Sequence, residues 1–273
     1  MTSAQSTEQV NSERRVIWLT GASSGIGRCL ALDLASEGHH VIVSARSTSE
    51  LRVLETLSAN ITALPCDITD VGGLSDLQSR LSAVSAHLDQ IILCAGNCEY
   101  LNFPEPDWEA VFRVMEVNYF GAVNCVKLAL PMLLASTVKR PHIVSVASMV
   151  TKAHFPKAEA YGASKAAVQY FFNSLRLDLV ASNIDVTVVN PGFVDTPLTQ
   201  KNDFPMPFLT TAEKASKRTI RALKSRPKNV SLSKRLSFLL AMAKLMPALW
   251  QKIVLADNKN KSSDQVRSKD SSQ

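Results

Sequence analysis

Two side chains with potential for proton chemistry, Tyr161 and Lys165, lie four positions apart in the alanine-rich stretch EAYGASKAA. On a helix, residues i and i+4 share a face, with Cβ atoms about 5–6 Å apart. A lysine charge at that distance favours the phenolate, so we expect Lys165 to lower the tyrosine pKa from its usual value of about 10. The pair could then donate and accept a proton near neutral pH. The alternative is an exposed helical pair, since this spacing also arises by chance.

The stretch TGASSGIG, residues 20–27, is the second candidate for chemistry. Glycines at 21, 25 and 27 let the backbone turn tightly and approach a diphosphate at the N-terminus of the helix predicted to follow. The spacing is G-x-x-x-G-x-G and differs from the common G-x-G-x-x-G. Because an apolar run precedes the loop and a helical pattern follows it, we favour dinucleotide binding over a strand–helix turn without a ligand.

The residue after the second apolar run bears on the choice of cofactor. That run ends in VIVSARS, with Ala45 followed by Arg46, where a NAD-binding chain usually carries an acid. A carboxylate would repel a 2′-phosphate, whereas a guanidinium can bind one. The sequence therefore favours NADP(H) over NAD, unless Arg46 is simply a surface residue at a strand end.

The elements that must position these residues follow from hydrophobic patterning. Six apolar runs are predicted strands, and they cover residues 15–20, 40–45, 61–65, 90–95, 142–147 and 185–190. Near-continuous apolar strands suit a parallel sheet that is covered on both faces. The longest helical candidates are 109–133 and 166–182. We predict a single-domain α/β fold, a Rossmann-type doubly wound parallel sheet with helices on both faces.

Four features together, TGASSGIG, Ser148, YGASK and NPGFVDT, resemble the short-chain dehydrogenase/reductase family in the branch with TGxxxGxG and YxxxK motifs. The similarity runs from about Arg15 to Thr196 with the motifs in the family's order. Such a conjunction removes the objection that the Tyr–Lys spacing arose by chance.

The resemblance implies roles for individual residues. Tyr161 would be the general acid/base, and Lys165 would hold the nicotinamide ribose and lower the tyrosine pKa. Ser148 would hydrogen-bond the substrate oxygen, and Asn118 would support a water-linked proton relay. Asp67 would meet the adenine, and the turn after the sixth strand would cup the nicotinamide. The implied cofactor-binding set is Thr20, Gly21, Ser23, Ser24, Gly25, Ile26, Gly27, Arg46, Asp67, Ile68, Ala95, Gly96, Tyr161, Lys165, Pro191, Gly192, Val194 and Thr196.

The function that the resemblance implies is an NADP-dependent oxidoreductase that interconverts a carbonyl and an alcohol by hydride transfer. A sugar-nucleotide epimerase or dehydratase could use the same tyrosine and lysine, but the glycine spacing and the lack of a larger C-terminal substrate domain disfavour it. A non-catalytic NADP-sensing or membrane-docked binding protein is the third alternative. The chain carries the expected residue at all four catalytic positions, Asn118, Ser148, Tyr161 and Lys165, and this argues against a non-catalytic protein.

Two positions depart from the family pattern. Cys94 stands where relatives have asparagine in Asn-Ala-Gly, and we expect a small loss of stability there. Ser24 stands where NADP-preferring relatives often carry a basic residue, so we expect most of the cofactor discrimination to fall to Arg46, with Arg28 nearby. His154 could contact substrate, although a solvated loop histidine is the simpler interpretation.

Composition is that of a soluble globular protein, with 273 residues, 46% of them hydrophobic and 20% charged. Five cysteines without a CxxC pair suggest reduced thiols, and we expect no metal site. The polar ends, 1–13 and 257–273, are predicted to be disordered. The first of them lacks the apolar stretch of a secretory signal, so we expect a cytoplasmic protein, with association to a membrane as the alternative. The net charge of +6 comes with no nucleic-acid-binding motif.

The C-terminal third leaves several alternatives open. Residues 234–256 read as apolar helices split by Pro247, after a catalytic body at 14–233. They could form a lid over the substrate cleft, a subunit interface or a contact with an anionic membrane surface. The loop 197–216 is predicted to close over the cofactor, and its aromatic residues favour an apolar substrate unless they only pack the loop down. We expect a homo-oligomer, with a dimer favoured.

Overall fold

The computed structural model describes residues 14–200, 202 and 204–255, so the predicted disordered ends lie outside the described residues. The main sheet contains β1 (Val16–Thr20), β2 (His40–Ser44), β3 (Ile61–Ala63), β4 (Gln90–Leu93), β5 (His142–Val146), β6 (Asp185–Asn190) and β9 (Asn229–Ser231). The helices are α1 (Gly25–Ser36), α2 (Thr48–Leu57), α3 (Leu74–Val84), α4 (Glu109–Met115), α5 (Gly121–Leu134), α6 (Glu159–Asp178), α7 (Ala212–Leu223), α8 (Lys234–Leu245) and α9 (Pro247–Leu255).

The sheet is wholly parallel, with strand order β3-β2-β1-β4-β5-β6-β9. The chain moves outward from β1 to β3, returns, and continues on the other side with β4. The strand order therefore reverses between β1 and β4, and in open α/β sheets ligands bind outside the carboxyl ends of the strands at this point. The predicted doubly wound α/β fold is confirmed, and each of the six predicted strands is present.

The side chains of β1 alternate between the two faces of the sheet and so contribute to two separate parts of the hydrophobic core. Trp18 points to the face that is covered by α3, α5 and α6, and its indole Nε1 donates to Ser44 Oγ at 2.9 Å. Ile17 and Leu19 point to the opposite face, against α1, α2 and α7. Successive side chains of a strand alternate between faces, so one apolar run supplies both layers of the core.

The longest helix runs from Glu109 to Leu134 and contains a π-helical turn at Glu116–Phe120 between α4 and α5. By length and composition it could cross a membrane, but half of its most apolar window is buried inside the protein. It is a core helix that packs on the sheet. Such π turns often occur at functional sites, and this one carries Asn118.

The segment after β6 differs in part from the sequence-based prediction. Residues 212–216 were expected in the substrate loop, but α7 already begins at Ala212 because Thr211 caps it, its side chain accepting from Lys214 N at 3.3 Å. A two-strand pair, β7 (Val194–Asp195) and β8 (Thr210–Thr211), brackets the shorter loop that remains. At Pro247 the chain bends by 108° between α8 and α9, as expected.

Candidate active site

The glycine loop after β1 packs backbone against backbone. Gly21 adopts a left-handed conformation with φ +74°, and its N–H donates to Ser44 O at 2.8 Å. A Cβ on Gly21 would lie 2.5 Å from Ala95 N, and one on Gly27 would lie 2.2 Å from Gly21 O. A side chain at either position would therefore push apart the ends of β1 and β4 or the loop itself.

The N-terminus of α1 faces the same space as this loop. Ser24 stands at the N-cap with extended backbone, and its side chain forms no capping hydrogen bond. N–H groups in the first turn of a helix have no intrahelical partner, and together with the helix dipole they favour an anion. The loop and the helix end can thus hold a phosphate group.

A cavity of about 440 Å³ begins at the glycine loop and extends along the carboxyl edge of the sheet. The predicted site residues that line it are Gly21, Ser23, Ser24, Gly25, Ile26, Gly27, Arg46, Asp67, Ile68, Ala95, Gly96, Ser148, Tyr161, Lys165, Pro191, Gly192, Val194 and Thr196. Thr20 is not in the lining. It is buried beneath the loop, and its hydroxyl oxygen has no hydrogen-bond partner among the described residues.

Tyr161 and Lys165 occupy the first two turns of α6, as their spacing predicts. The lysine Nζ lies 5.9 Å from the centre of the tyrosine ring and donates to Val146 O at 2.9 Å, at the end of β5. Lys165 is only 5% exposed, whereas Tyr161 keeps part of its surface open to the cavity. Ser148 caps the short turn after β5, its Oγ accepting from Val150 N at 3.1 Å, and it also hydrogen-bonds Tyr161.

Burial dominates the electrostatics of this group. It raises the pKa of Tyr161 to about 12, and the hydrogen bond from Ser148 offsets only part of that effect. Burial also lowers the pKa of Lys165 to about 8. For the chain without cofactor, the prediction that the tyrosine pKa lies below its usual value is therefore wrong, because burial outweighs any effect of Lys165. The phenol is neutral at pH 7, and the lysine is mostly charged.

Asn118 lies behind the cavity wall and is 2% exposed. Its Nδ2 donates to Asn97 O at 2.9 Å and to Ser164 Oγ at 2.8 Å, and its Oδ1 accepts from Asn97 N at 2.7 Å. The side chain thus braces the loop after β4 against α6. A Cβ on Gly96 would lie 3.2 Å from this Oδ1 and 3.4 Å from Lys165 Nζ, so both side chains border Gly96.

Arg46 and Asp67, which were predicted to bind the adenosine part of the cofactor, follow β2 and β3 in the chain. Arg46 is exposed and lines the cavity. Asp67 lines it too, and its Oδ1 accepts from the backbone N and the hydroxyl of Thr69 at 2.9 and 2.7 Å. Arg28 is turned away toward α2, where its Nη1 lies 3.8 Å from a carboxylate oxygen of Glu50. Arg28 is absent from the lining.

Twelve residues of the lining were not among the predicted site residues, and three of them, Pro197, Leu198 and Thr199, begin the loop that was predicted to close over the cofactor. Thr199 Oγ1 accepts from Thr196 N at 3.1 Å and donates to Val194 O at 2.5 Å, which fixes the turn after β7. A Cβ on Gly25 would lie 2.9 Å from Thr196 Cγ2, so this turn closes onto the glycine loop. Two threonines around a proline are a turn signal that could have indicated the contact.

An apolar wall stands beside Ser148 where α8 meets the sheet edge. Met149, Leu236 and Leu240 are buried together, packed against Phe155, Phe193 and Trp250. Trp250 Nε1 donates to His154 O at 2.8 Å, while the His154 side chain is exposed and outside the cavity lining. One face of α8 therefore forms a hydrophobic border next to the candidate site.

These features define a nicotinamide-dependent type of site on a doubly wound sheet, and comparison with known proteins gives the family. The family model for short chain dehydrogenase matches residues 15–205, and the chain belongs to this family. An uncharacterised oxidoreductase of Myxococcus xanthus is 34% identical over 85% of this chain and 93% of its own length.

Two further relatives match over less of their own length or of this chain. The Drosophila melanogaster dehydrogenase/reductase SDR family protein 7-like is 37% identical over 67% of this chain, which spans 58% of that relative. A fatty acyl-CoA reductase of Acinetobacter baylyi is 31% identical over 81% of this chain and 77% of its own. The solved NADP active-site complex of RhlG from Pseudomonas aeruginosa has 27% identity and a TM-score of 0.64, covering 68% of this chain and 75% of that one.

Proposed function

We propose that this protein is an NADP-dependent reductase that interconverts a carbonyl and an alcohol, with Tyr161 as the group that donates and accepts the proton. One observation carries the proposal. Ser148, Tyr161 and Lys165 line the same cavity as the glycine loop, at the edge where the strand order reverses. Hydride and proton can then be delivered to neighbouring atoms of one substrate.

The residues present suit NADP(H). The uncapped first turn of α1 and the closely packed glycine loop suit the diphosphate. Arg46 in the lining suits a 2′-phosphate, and no carboxylate stands at the end of β2 to repel it. The similar RhlG was solved as a complex with NADP. When bound, the nicotinamide supplies or accepts the hydride.

Three side chains of the protein would carry out and support proton transfer to the substrate. With a pKa of about 12, Tyr161 holds its proton at pH 7 and can donate it to a carbonyl oxygen that becomes negative during reduction. Ser148, already hydrogen-bonded to this phenol, can donate to the same oxygen and orient it. Lys165, charged at pH 7, stabilises the phenolate that remains.

We further propose an apolar carbonyl substrate, such as a long aliphatic aldehyde or ketone. The apolar wall beside Ser148 supports this, because Met149 and Phe193 lie next to it. Similarity to a fatty acyl-CoA reductase is consistent with a substrate that carries a hydrocarbon chain. Each added methylene that the wall covers would contribute about 0.8 kcal/mol, which raises kcat/KM about four-fold.

The test follows NADPH loss with aldehydes and ketones of increasing chain length, on wild type, Tyr161→Phe and Tyr170→Phe. Tyr170 is the matched control because it lies on the same helix and is 78% exposed. We expect Tyr161→Phe to lose at least about a hundred-fold in kcat, since general acid catalysis contributes about 10²–10⁴. Tyr170→Phe should leave turnover unchanged. Tight NADPH binding without turnover on any substrate would contradict the reductase and favour a cofactor sensor.

A further inference from the structure

The helix pair α8 and α9 exposes a large apolar surface, which we call the C-terminal apolar face. Phe238 is 71% exposed and Leu245 is 75% exposed. The face consists of Phe238, Leu239, Met242, Leu245, Met246, Leu249 and Ile253. Several large apolar side chains exposed on one pair of helices mark an interaction surface.

The pattern along α8 indicates that this face is covered in the working protein. Leu236, Leu240 and Ala243 form one stripe, buried against the body of the protein. Phe238, Met242 and Leu245 repeat the same i, i+4, i+7 spacing on the opposite side, which is exposed. An ordinary surface helix carries polar residues there. A helix that is apolar on both sides is one that is buried on both sides.

Charge indicates what covers it. Residues 214–256 contain eleven lysines and arginines and no aspartate or glutamate. On the helix pair itself, Lys234, Arg235, Lys244 and Lys252 are all exposed. A second copy seated on this face would bring like charges together, whereas a negatively charged surface would attract them.

We propose that the C-terminal apolar face docks onto a bilayer that contains anionic lipid, with α8 and α9 lying in the plane of the interface. Apolar side chains would enter the acyl boundary, and the basic residues would meet the headgroups. Neither helix spans the bilayer. Twelve residues of α8 and nine of α9 extend about 18 and 14 Å, against a hydrocarbon core of about 30 Å, and the pair is bent by 108°.

Docking in this orientation would also serve catalysis. The buried stripe of α8 packs on Met149 and Phe193, so a lipid surface against the outer face lies one helix away from Ser148. An apolar carbonyl compound dissolved in the bilayer would have a short path to the site. This consequence rests on the proposed reductase function, but the docking itself does not.

The experiment is co-sedimentation of the full chain with vesicles. One set is phosphatidylcholine alone, and the other is an equal mixture of phosphatidylcholine and phosphatidylserine, each at low and high salt. We expect binding to the mixed vesicles that weakens with salt. Lys234→Gln with Arg235→Gln should lower the partition coefficient about 25-fold, at about five-fold per basic residue. Phe238→Asp with Leu245→Asp should abolish binding.

Leu57→Asp provides the matched control. It places an acid at an exposed apolar position, on α2, and should leave vesicle binding unchanged. Melting curves and NADPH titration show that each variant is folded, and because the readout does not use turnover, a failed reductase would leave this test intact. Absence of binding, or equal binding to both vesicle types, overturns the proposal. Conversion of a dimer into a monomer by the two aspartates, with no vesicle binding by wild type, would assign the face to a second copy.

Discussion

Replacing Lys165 by methionine should stabilise the cofactor-free protein at neutral pH, although it removes a proposed catalytic group. The lysine is 5% exposed, and burial lowers its pKa from 10.5 to about 8. Keeping it charged at pH 7 therefore costs about 3 kcal/mol of folding free energy. Methionine is of similar length and removes that cost. It also leaves Val146 O without the 2.9 Å hydrogen bond, which costs about 1–3 kcal/mol.

The pH dependence distinguishes this account from a general packing effect. Between about pH 8 and 10.5 the unfolded chain binds the proton of Lys165 more tightly than the folded chain, so wild-type stability rises with pH through that range. The cost is fully present below pH 8 and is gone above 10.5. The variant should thus be more stable than wild type by up to about 2 kcal/mol at pH 7 and less stable than wild type near pH 10.5.

Urea unfolding of both proteins at several pH values measures the difference directly. Lys127→Met is the control, since that lysine is exposed on α5, and its stability should stay within about 0.5 kcal/mol of wild type. A Lys165→Met variant that is less stable than wild type at pH 7, by the same amount as at pH 10.5, would refute the reasoning. The charge of the buried lysine would then carry no cost.

Three further predictions concern the cofactor end and the loop brace. Arg46→Asp should lower the ratio of kcat/KM for NADPH to that for NADH at least about ten-fold, and an unchanged ratio would exclude Arg46 as the discriminating residue. Asn118→Ala should cost about 2–3 kcal/mol in urea unfolding, since it removes three hydrogen bonds of a buried residue, and a loss under 1 kcal/mol would contradict the brace. Gly27→Ala should abolish NADPH binding because its Cβ meets Gly21 O, whereas Gly162→Ala has open space and should gain about 0.5–1 kcal/mol. Equal behaviour of the two glycine variants would count against the loop geometry.

The strands of the sheet could be predicted because each one is specified by a short apolar run in the sequence. Apolar runs such as HIVSV and DVTVVN are buried on both faces, and few other structures accommodate them. The π-helical turn at Glu116–Phe120 was not predictable, since the helical pattern continues through it without a break. The pair β7 and β8 has two residues per strand and is held by tertiary contacts. The start of α7 could have been predicted from Thr211 followed by Glu213 in the first turn.

In the candidate site, too, features set by neighbouring residues could be predicted from the sequence, whereas features set by residues distant in the chain could not. The spacing of Tyr161 and Lys165 placed them on one helix face, as predicted. Their pKa values depended on how the strand ends and α6 enclose them, and local spacing holds no information about that burial. The partners of Asn118 lie 21 and 46 residues away in the chain, so its bracing contacts became visible only in the folded structure.

Transfer of deuterium from NADPH labelled at the reactive nicotinamide carbon tests the central claim most directly. Wild type is incubated with labelled NADPH and a long-chain aldehyde, and the alcohol is examined by mass spectrometry. We predict that the alcohol carries deuterium at the former carbonyl carbon and that Tyr161→Phe forms essentially none. Alcohol without deuterium, or equal labelled product from Tyr161→Phe, would contradict hydride transfer assisted by this tyrosine.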